Sequence, residues 1–436
     1  MQNKRGSATL IFGGGVSGRA ALQLLKQENI PLILFDDSSA CFSSLCKEFP
    51  SLIFYSQVEK VPFERIDRLI LSPGINPSHA LCQRALSFSI EIISEVEYAV
   101  RKAQSLKLFA GKKVIGLTGT NGKSSAIHLL SHLYREHMDA SHSTCHLGNE
   151  AEPLSCWVKR RGDEEILFIE LSSFQLEYLF TPFLDWAIFL HFDVDHLNYH
   201  GSLHSYCRAK MRIASLLNPS GRFSIEKSIL ERYSHYWQEW GIRPNENWSL
   251  LPTEGQASSS LSPLQFHLIF LFSHLLKVSP SALLHGLASL SPLPHRLQLI
   301  HVDGGISYYD SSKATNLAAL IFTLSKVSSP ILLIAGGRGK GEKITLWKKI
   351  IPFHVKNLFL IGEMAPYIAR ELCNHLPLRI CTDLAQAVQN CVQEAVAGDC
   401  VLFAPGCANT DYFLNYREAG KAFQREVLHH TGHALP

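Results

Sequence analysis

The chain has 436 residues, 46% of them apolar and 18% charged, with a formal net charge of +3. This composition describes a soluble globular protein, and at ~150 residues per domain it is long enough for about three. The small net charge and the scattered lysines and arginines argue against nucleic acid as a partner and against a membrane surface.

In chain order, short β-branched or aromatic runs recur, each stopping at a glycine or a polar turn. The first hundred residues hold "TLIFGGG" (9–15), "LILFDD" (32–37) and "RLILSPG" (68–74). Next come "KVIGLTG" (113–119), "ILFIELSS" (166–173) and "WAIFLHFD" (186–193), then "ILLIAGG" (331–337), "NLFLIGE" (357–363) and "CVLFAPG" (400–406). Continuous apolar runs of this length predict strands buried on both faces, as in parallel sheets. Helical stretches such as "SGRAALQLLKQEN" (17–29) and "DLAQAVQNCVQEAV" (383–396) lie between them. Alternating β and α segments predict doubly wound α/β sheets in three segments, bounded near 108–112 and 292–296.

Eleven cysteines at irregular spacings, with no C-x-x-C pair, fit free thiols in a reducing compartment. The N-terminal "TLIF" is too short for a signal peptide. The apolar "FHLIFLFSHLLKV" (266–278) is too short to span a bilayer. The expectation is a cytoplasmic protein with no membrane insertion.

In open parallel sheets, ligands bind beyond the carboxyl ends of the strands, and the glycine- and acid-rich turns fall there. "LTGTNGKSS" (117–125) follows a strand and precedes a helix, the context a phosphate-binding loop needs. Its glycines admit phosphate oxygens to backbone N–H groups, and the helix N-terminus adds partial positive charge. Lys123 would neutralise the β- and γ-phosphates, and the Ser124 hydroxyl would ligate Mg²⁺. The stretch is the short form G-x-x-G-K-S from Gly119, because Leu117 stands where the longer pattern needs glycine.

"GGGVSG" (13–18) reads as G-x-G-x-x-G, with Asp36 about 20 residues on as a ribose-binding acid. Taken alone, it points to a nicotinamide cofactor or to tight backbone packing. "ELSSFQLE" (170–177) puts Glu170 at a strand end facing the crevice of the 118–125 loop. "DVDHLNYHGSLHSYCRAKMRI" (193–213) offers acids, histidines and Lys210. Spacing alone raises a Glu170–His196 metal pair. Solvated loop residues and a surface lysine are the plainer reading of the rest.

Together these stretches resemble the Mur ligases, ATP-dependent amino-acid-adding enzymes of peptidoglycan synthesis, over essentially the whole chain. The discriminating pieces are "LSPGI" (71–75), "ELSSFQLE", "DHLNYHG" with "YCRAKMRI", "PHR" (294–296), "SKATN" (312–316) and "PGCANTDYFLNYREAG" (405–420). "SKATN" and "SSFQLE" match the members that add D-glutamate to UDP-N-acetylmuramoyl-L-alanine.

The resemblance implies a Rossmann-like UDP-binding domain (1–108), a central P-loop ATPase-like domain (109–293) and a C-terminal Rossmann-like amino-acid-binding domain (294–436). It implies ATP contacts from Gly119, Thr120, Asn121, Gly122, Lys123, Ser124, Ser125 and Arg296. It implies UDP-substrate contacts from Ser17, Asp36, Ser72, Gly74 and Asn149, and D-glutamate contacts from Lys313, Thr315, Lys340, Asn409 and Tyr416. Two Mg²⁺ ions are implied, one on Ser124 and Glu170, the other on Glu170, His196 and Lys210. An ammonium beside a dication is electrostatically unfavourable. The family solution is a CO₂-derived carbamate on Lys210, which supplies anionic oxygen to a hard cation. The implied chemistry is phosphoryl transfer to the L-alanyl carboxylate, then attack of the D-glutamate amine, in a monomer. The chain departs from the family where Ser311 replaces the acid before "SKATN", with Asp310 one place earlier as a substitute. It departs again where Ser262 and Gln265 replace two adenine-reaching asparagines.

Overall fold

The computed structural model describes residues 8–28, 30–38, 42–137, 143–241, 247–251, 263–285, 290–291, 293–327, 330–341, 344–349, 351 and 355–432. The chain divides into two compact units: Met1–Phe192 with Ser202–Leu290, and Asp193–Gly201 with Ser291–Pro436.

The first unit carries two parallel sheets. One holds β1 (Ala8–Phe12), β2 (Leu32–Phe35), β3 (Ile53–Tyr55), β4 (Ile66–Leu71) and β5 (Glu91–Ser94) in the order β3-β2-β1-β4-β5. The other holds β6 (Lys113–Thr118), β7 (Thr144–Gly148), β8 (Ile166–Glu170), β9 (Leu184–Phe189), β10 (Leu217–Glu226) and β11 (Trp248–Leu251) in the order β11-β10-β9-β6-β8-β7. The central strands β1, β2 and β8 are buried at every residue, which explains their unbroken apolar runs. Strand order reverses beside β1 and beside β6, so the crevices that accept ligands open at the glycine turns following those two strands.

Two buried glutamates fasten the sheets of this unit together. Ser94 caps the helix Glu95–Ser105, accepting from the Glu97 amide at 3.1 Å. Glu97 accepts from the amides of Phe180 and Thr181 (2.9 and 3.0 Å), the Thr181 hydroxyl (2.7 Å) and Arg101 Nε (2.6 Å). Glu95 accepts from the Ser155 amide at 2.7 Å, and burial raises its pKa against the opposing pull of that contact. Around them Leu24, Val96 and Ala99 share one apolar cluster with Leu154, Trp157 and Phe183.

The second unit holds one sheet of β12 (Gln298–Asp303), β13 (Ile306–Asp310), β14 (Ile331–Gly336), β15 (Val355–Ile361), β16 (Leu378–Ile380) and β17 (Cys400–Gly406), ordered β12-β13-β17-β14-β15-β16. Only the β12–β13 pair is antiparallel. Gly304 and Gly305, with φ of +55° and +79°, make the two-residue turn that this hairpin requires. No helix of the described residues is long and apolar enough to cross a membrane. The described cysteines form no disulfide, and Cys82, Cys207, Cys381, Cys391, Cys400 and Cys407 are buried.

Candidate active site

The loop after β6 is pinned from two sides before its helix begins. Leu171 N donates to Leu117 O, and Thr118 Oγ1 donates to Leu171 O, tying it to the end of β8. Thr120 N donates to His191 O at 2.7 Å, tying it to the end of β9. Gly119 and Gly122 take φ of +152° and +87°, which side-chain-bearing residues rarely adopt. Lys123 and Ser124 then open the helix Lys123–His137. Lys123 Nζ folds back onto Gly119 O at 2.8 Å. This is a cationic, glycine-lined helix N-terminus, a ready anion site.

Glu170 ends β8, and its side chain is buried. Ser124 Oγ donates to Glu170 Oε2 at 2.7 Å, so the structure brings these two residues together. A hydroxyl and a carboxylate are hard oxygen donors of the kind Mg²⁺ takes. Gly148, with φ of +97°, lies so close to β8 that a Cβ would sit 2.3 Å from Glu170 O. The Asn149 amide donates to that same carbonyl at 2.9 Å, while Asn149 itself is exposed.

Lys210 is 2% exposed, on the helix Leu203–Met211. Its ammonium donates to Gly119 O at 2.9 Å and lies 4.8 Å from the Tyr206 ring centroid. The Tyr206 hydroxyl reaches Thr120 Oγ1 at 3.3 Å. Lys123 and Lys210 therefore converge on one loop carbonyl, bringing two cations to the phosphate loop.

In the first sheet, Asp36 follows β2 and accepts from the amides of Gly14 (2.7 Å) and Ser38 (2.9 Å), fixing the glycine turn after β1. Ser72, after β4, donates to Gly13 O at 3.2 Å. Gly18 packs so tightly on Gly13 O that a Cβ there would lie 1.8 Å away. Ser17 is half-buried in the first turn of the helix Val16–Leu25, and Gly74 is exposed with φ of +85°.

In the second unit the segment Asp193–Gly201 is held by Asp195, whose side chain is 6% exposed. Lys340 Nζ stands 3.2 Å from Asp195 Oδ1, and Asn316 Nδ2 donates to Oδ2 at 3.1 Å. The His196 amide donates to Oδ1 at 2.9 Å, with His196 in the left-handed region at φ +52°. Burial pushes the Asp195 carboxyl up, but Lys340, His196 and the Asn316 amide outweigh it and hold it down at about 2.

Asn316 also caps the helix Leu317–Leu324. Arg338 and Ala408 exchange backbone hydrogen bonds, zipping together the loops after β14 and β17 that carry Lys340 and Asn409. Asn409 donates to Ser312 O at 3.1 Å. Lys313 Nζ lies 4.0 Å from the Tyr416 ring centroid, and Thr315 and Arg296 are half-buried.

Asp310, the expected stand-in for the missing acid at Ser311, is turned inward. It meets His295 Nδ1 at 2.7 Å and accepts from the Ser312 amide (2.8 Å) and Gln424 Nε2 (3.0 Å). These three contacts all lie inside its own unit. Ser262 lies outside the described residues.

A model of the Mur ligase middle domain matches residues 117–257, and one of the Mur ligase glutamate ligase domain matches 295–407. A UDP-N-acetylmuramoylalanine–D-glutamate ligase of Chlamydia caviae is 31% identical, with 96% of this chain and 97% of that protein covered. The chain belongs to the Mur ligase family. A second relative of the same name, from Protochlamydia amoebophila, is 29% identical over 98% of this chain and 99% of its own length.

Solved Mur ligase structures share the fold. The murein peptide ligase of Psychrobacter arcticus superposes with a TM-score of 0.54 at 11% identity, covering 98% of this chain and 99% of its own. The UDP-N-acetylmuramate–alanine ligase of Thermotoga maritima gives 0.54 at 13%, covering 96% and 98%.

Within this Mur ligase chain, the structure gives two residues contacts that sequence reasoning did not assign to them. One is Asp195 as the hub of its unit, for which the only signal is an acid directly before a candidate ligand. The other is His146, whose Nε2 lies 3.5 Å from Glu170 Oε2. Its position two residues before the tight Gly148 turn is the one trace it leaves in the sequence.

Proposed function

We infer that the chain is an ATP-dependent ligase that adds D-glutamate to UDP-N-acetylmuramoyl-L-alanine, releasing ADP and phosphate, in cytoplasmic peptidoglycan precursor synthesis. The observation that carries the ATP half is the 2.7 Å Ser124–Glu170 contact at the mouth of a glycine loop holding Lys123 and Lys210. The acceptor and amino acid are assigned from the relatives that share the whole length of the chain.

In this reading Gly119 to Ser125 cradle the ATP phosphates with backbone N–H groups, and Lys123 swings from Gly119 O to the β- and γ-phosphates. Arg296 is assigned to the nucleotide on the family resemblance. Bound Mg²⁺ supplies Lewis-acid neutralisation of charge on the transferring phosphoryl group. Ser124 and Glu170 supply oxygen donors to it, and His196 is assigned to metal coordination on the family resemblance. Lys210, carbamylated at Nζ, becomes an oxygen donor, and its burial keeps the modified group out of bulk water.

The Gly13–Gly18 turn, shaped by Asp36 and Ser72, receives the UDP diphosphate together with Ser17, Gly74 and Asn149. Lys313, Thr315 and Lys340 receive the D-glutamate carboxylates, while Asn409 and Tyr416 position the loop that carries Lys313. The domain limits 1–108, 109–293 and 294–436 divide these three binding tasks.

The test is phosphate release from ATP with UDP-N-acetylmuramoyl-L-alanine across a panel of amino acids. Strong preference for D-glutamate is expected. Release that needs no amino acid, or that favours another one, overturns the assignment.

A further inference from the structure

His146 lies on β7, paired in register with Phe168 of β8, and Gly148 pairs with Glu170. Side chains two apart on a strand share a face, so His146 and Glu170 project from neighbouring strands on the same face of the sheet. The Nε2 atom of His146 is shielded from solvent and has no hydrogen-bond partner. It stands 3.5 Å from Glu170 Oε2, outside hydrogen-bond geometry. Ser124 Oγ stands 2.7 Å from that same Oε2. Three donor atoms, from the phosphate-loop helix, β8 and β7, thus converge on one point.

A buried, unpaired polar nitrogen is uncommon and calls for a reason. Pairing with Glu170 is one candidate, but the separation and alignment leave Nε2 unsatisfied. A cation lying on Glu170 Oε2 would use it.

We propose that His146 is a third protein ligand, through Nε2, of the divalent cation held by Ser124 and Glu170. The inference rests on the reading of this loop as the Mg²⁺–ATP site. An imidazole nitrogen changes the selectivity of that position. Mg²⁺ prefers an all-oxygen shell, whereas Mn²⁺ and Co²⁺ accept nitrogen readily. The first cation position of this chain therefore tolerates Mn²⁺ better than the Ser124–Glu170 pair alone would. The sequence pattern does not point to this nitrogen as a ligand, because His146 reaches the site only through strand pairing.

The test uses the full-length protein carrying ¹⁵N-labelled histidine, in the His196→Ala background so that the other candidate imidazole is absent. Mn²⁺ and the β,γ-imido analogue of ATP are added, and electron–nuclear double resonance reads ¹⁵N coupling to Mn²⁺. Coupling is expected, and it should vanish on adding His146→Val or His146→Gln, the second variant guarding against a packing defect in the first. Mn²⁺ affinity of the nucleotide complex should fall about tenfold in these variants, and Mg²⁺ affinity by less than about threefold.

Nucleotide-dependent Mn²⁺ binding without ¹⁵N coupling in the His196→Ala protein overturns the proposal while leaving the Mg²⁺–ATP reading intact. Coupling that survives both His146 substitutions overturns it as well. Absence of any nucleotide-dependent Mn²⁺ binding overturns the underlying reading of the loop, and the proposal with it.

Discussion

Replacing Asp195 with Asn removes one negative charge from a buried hub while keeping its shape. The carboxyl is held at about 2 against an ordinary value of 3.8. A depression of that size corresponds to about 2 kcal/mol of stability at neutral pH. For a depressed acid, that stability is present in full above the unfolded value and is lost as pH falls through the folded one. The window therefore runs from about pH 5 down to about pH 2.

The substitution takes the carboxylate away from Lys340, whose side chain is 12% exposed, and with it the fastening of Asp193–Gly201. Hydrogen exchange at the Tyr199 and His200 amides, which donate to His196 O, reports the opening of this segment. At pH 7 the variant should exchange roughly thirtyfold faster than the parent, the ratio that about 2 kcal/mol implies. The gap should narrow steadily as pH approaches 2. Adding Lys340→Met should recover much of the loss, because the buried ammonium that faced the carboxylate is then removed as well. A gap under about threefold, or one that does not change with pH, would refute the assignment of Asp195 as an ionised hub.

Three further outcomes concern the first unit. Glu97→Ala strips the acceptor from two backbone amides and a hydroxyl, so roughly 3–5 kcal/mol should be lost locally; limited proteolysis should cut near Phe180–Pro182, and unchanged resistance would contradict the fastening role. Glu95 carries a raised pKa, so its ionisation opposes folding once pH climbs above the unfolded value of 4.5. Glu95→Gln should therefore raise the thermal midpoint at pH 8 and do so less at pH 5, and a lower midpoint at pH 8 would count against this. Gly148→Ala forces a methyl to 2.3 Å from Glu170 O at φ +97°; a loss of roughly 2–4 kcal/mol should appear in chemical denaturation, and a neutral effect would mean the turn relaxes freely.

The nine apolar runs of the sequence all form strands, because strands buried on both faces need no alternation. The strands that left no clear signal are of other kinds. β16 has three residues, two of them exposed. β12 is an edge strand whose Leu299 and Val302 are exposed. β10 carries Pro219 and Gly221 and shifts register midway along β9. Short, edge and interrupted strands are specified by their neighbours more than by their own pattern.

The candidate site divides the same way. Ser124 and Glu170 were legible because each ends a strong strand or begins a helix at a crevice. His146 was not, since parallel pairing of β7 with β8 is what carries it to Glu170. The direction of Asp310 was not legible, because its nearness to "SKATN" says nothing about which way it points. Its side chain turned inward to His295 and Gln424, which lie 15 and 114 residues away in the chain.

The central claim is tested most directly by the product. Incubating the protein with ATP, Mg²⁺, UDP-N-acetylmuramoyl-L-alanine and either D- or L-glutamate, then reading the nucleotide pool by mass spectrometry, identifies what is joined. The account predicts a UDP-muramoyl dipeptide with D-glutamate, formed one for one with ADP and phosphate and absent with L-glutamate. A dipeptide built from another amino acid, or ATP hydrolysis with no new amide, would contradict it.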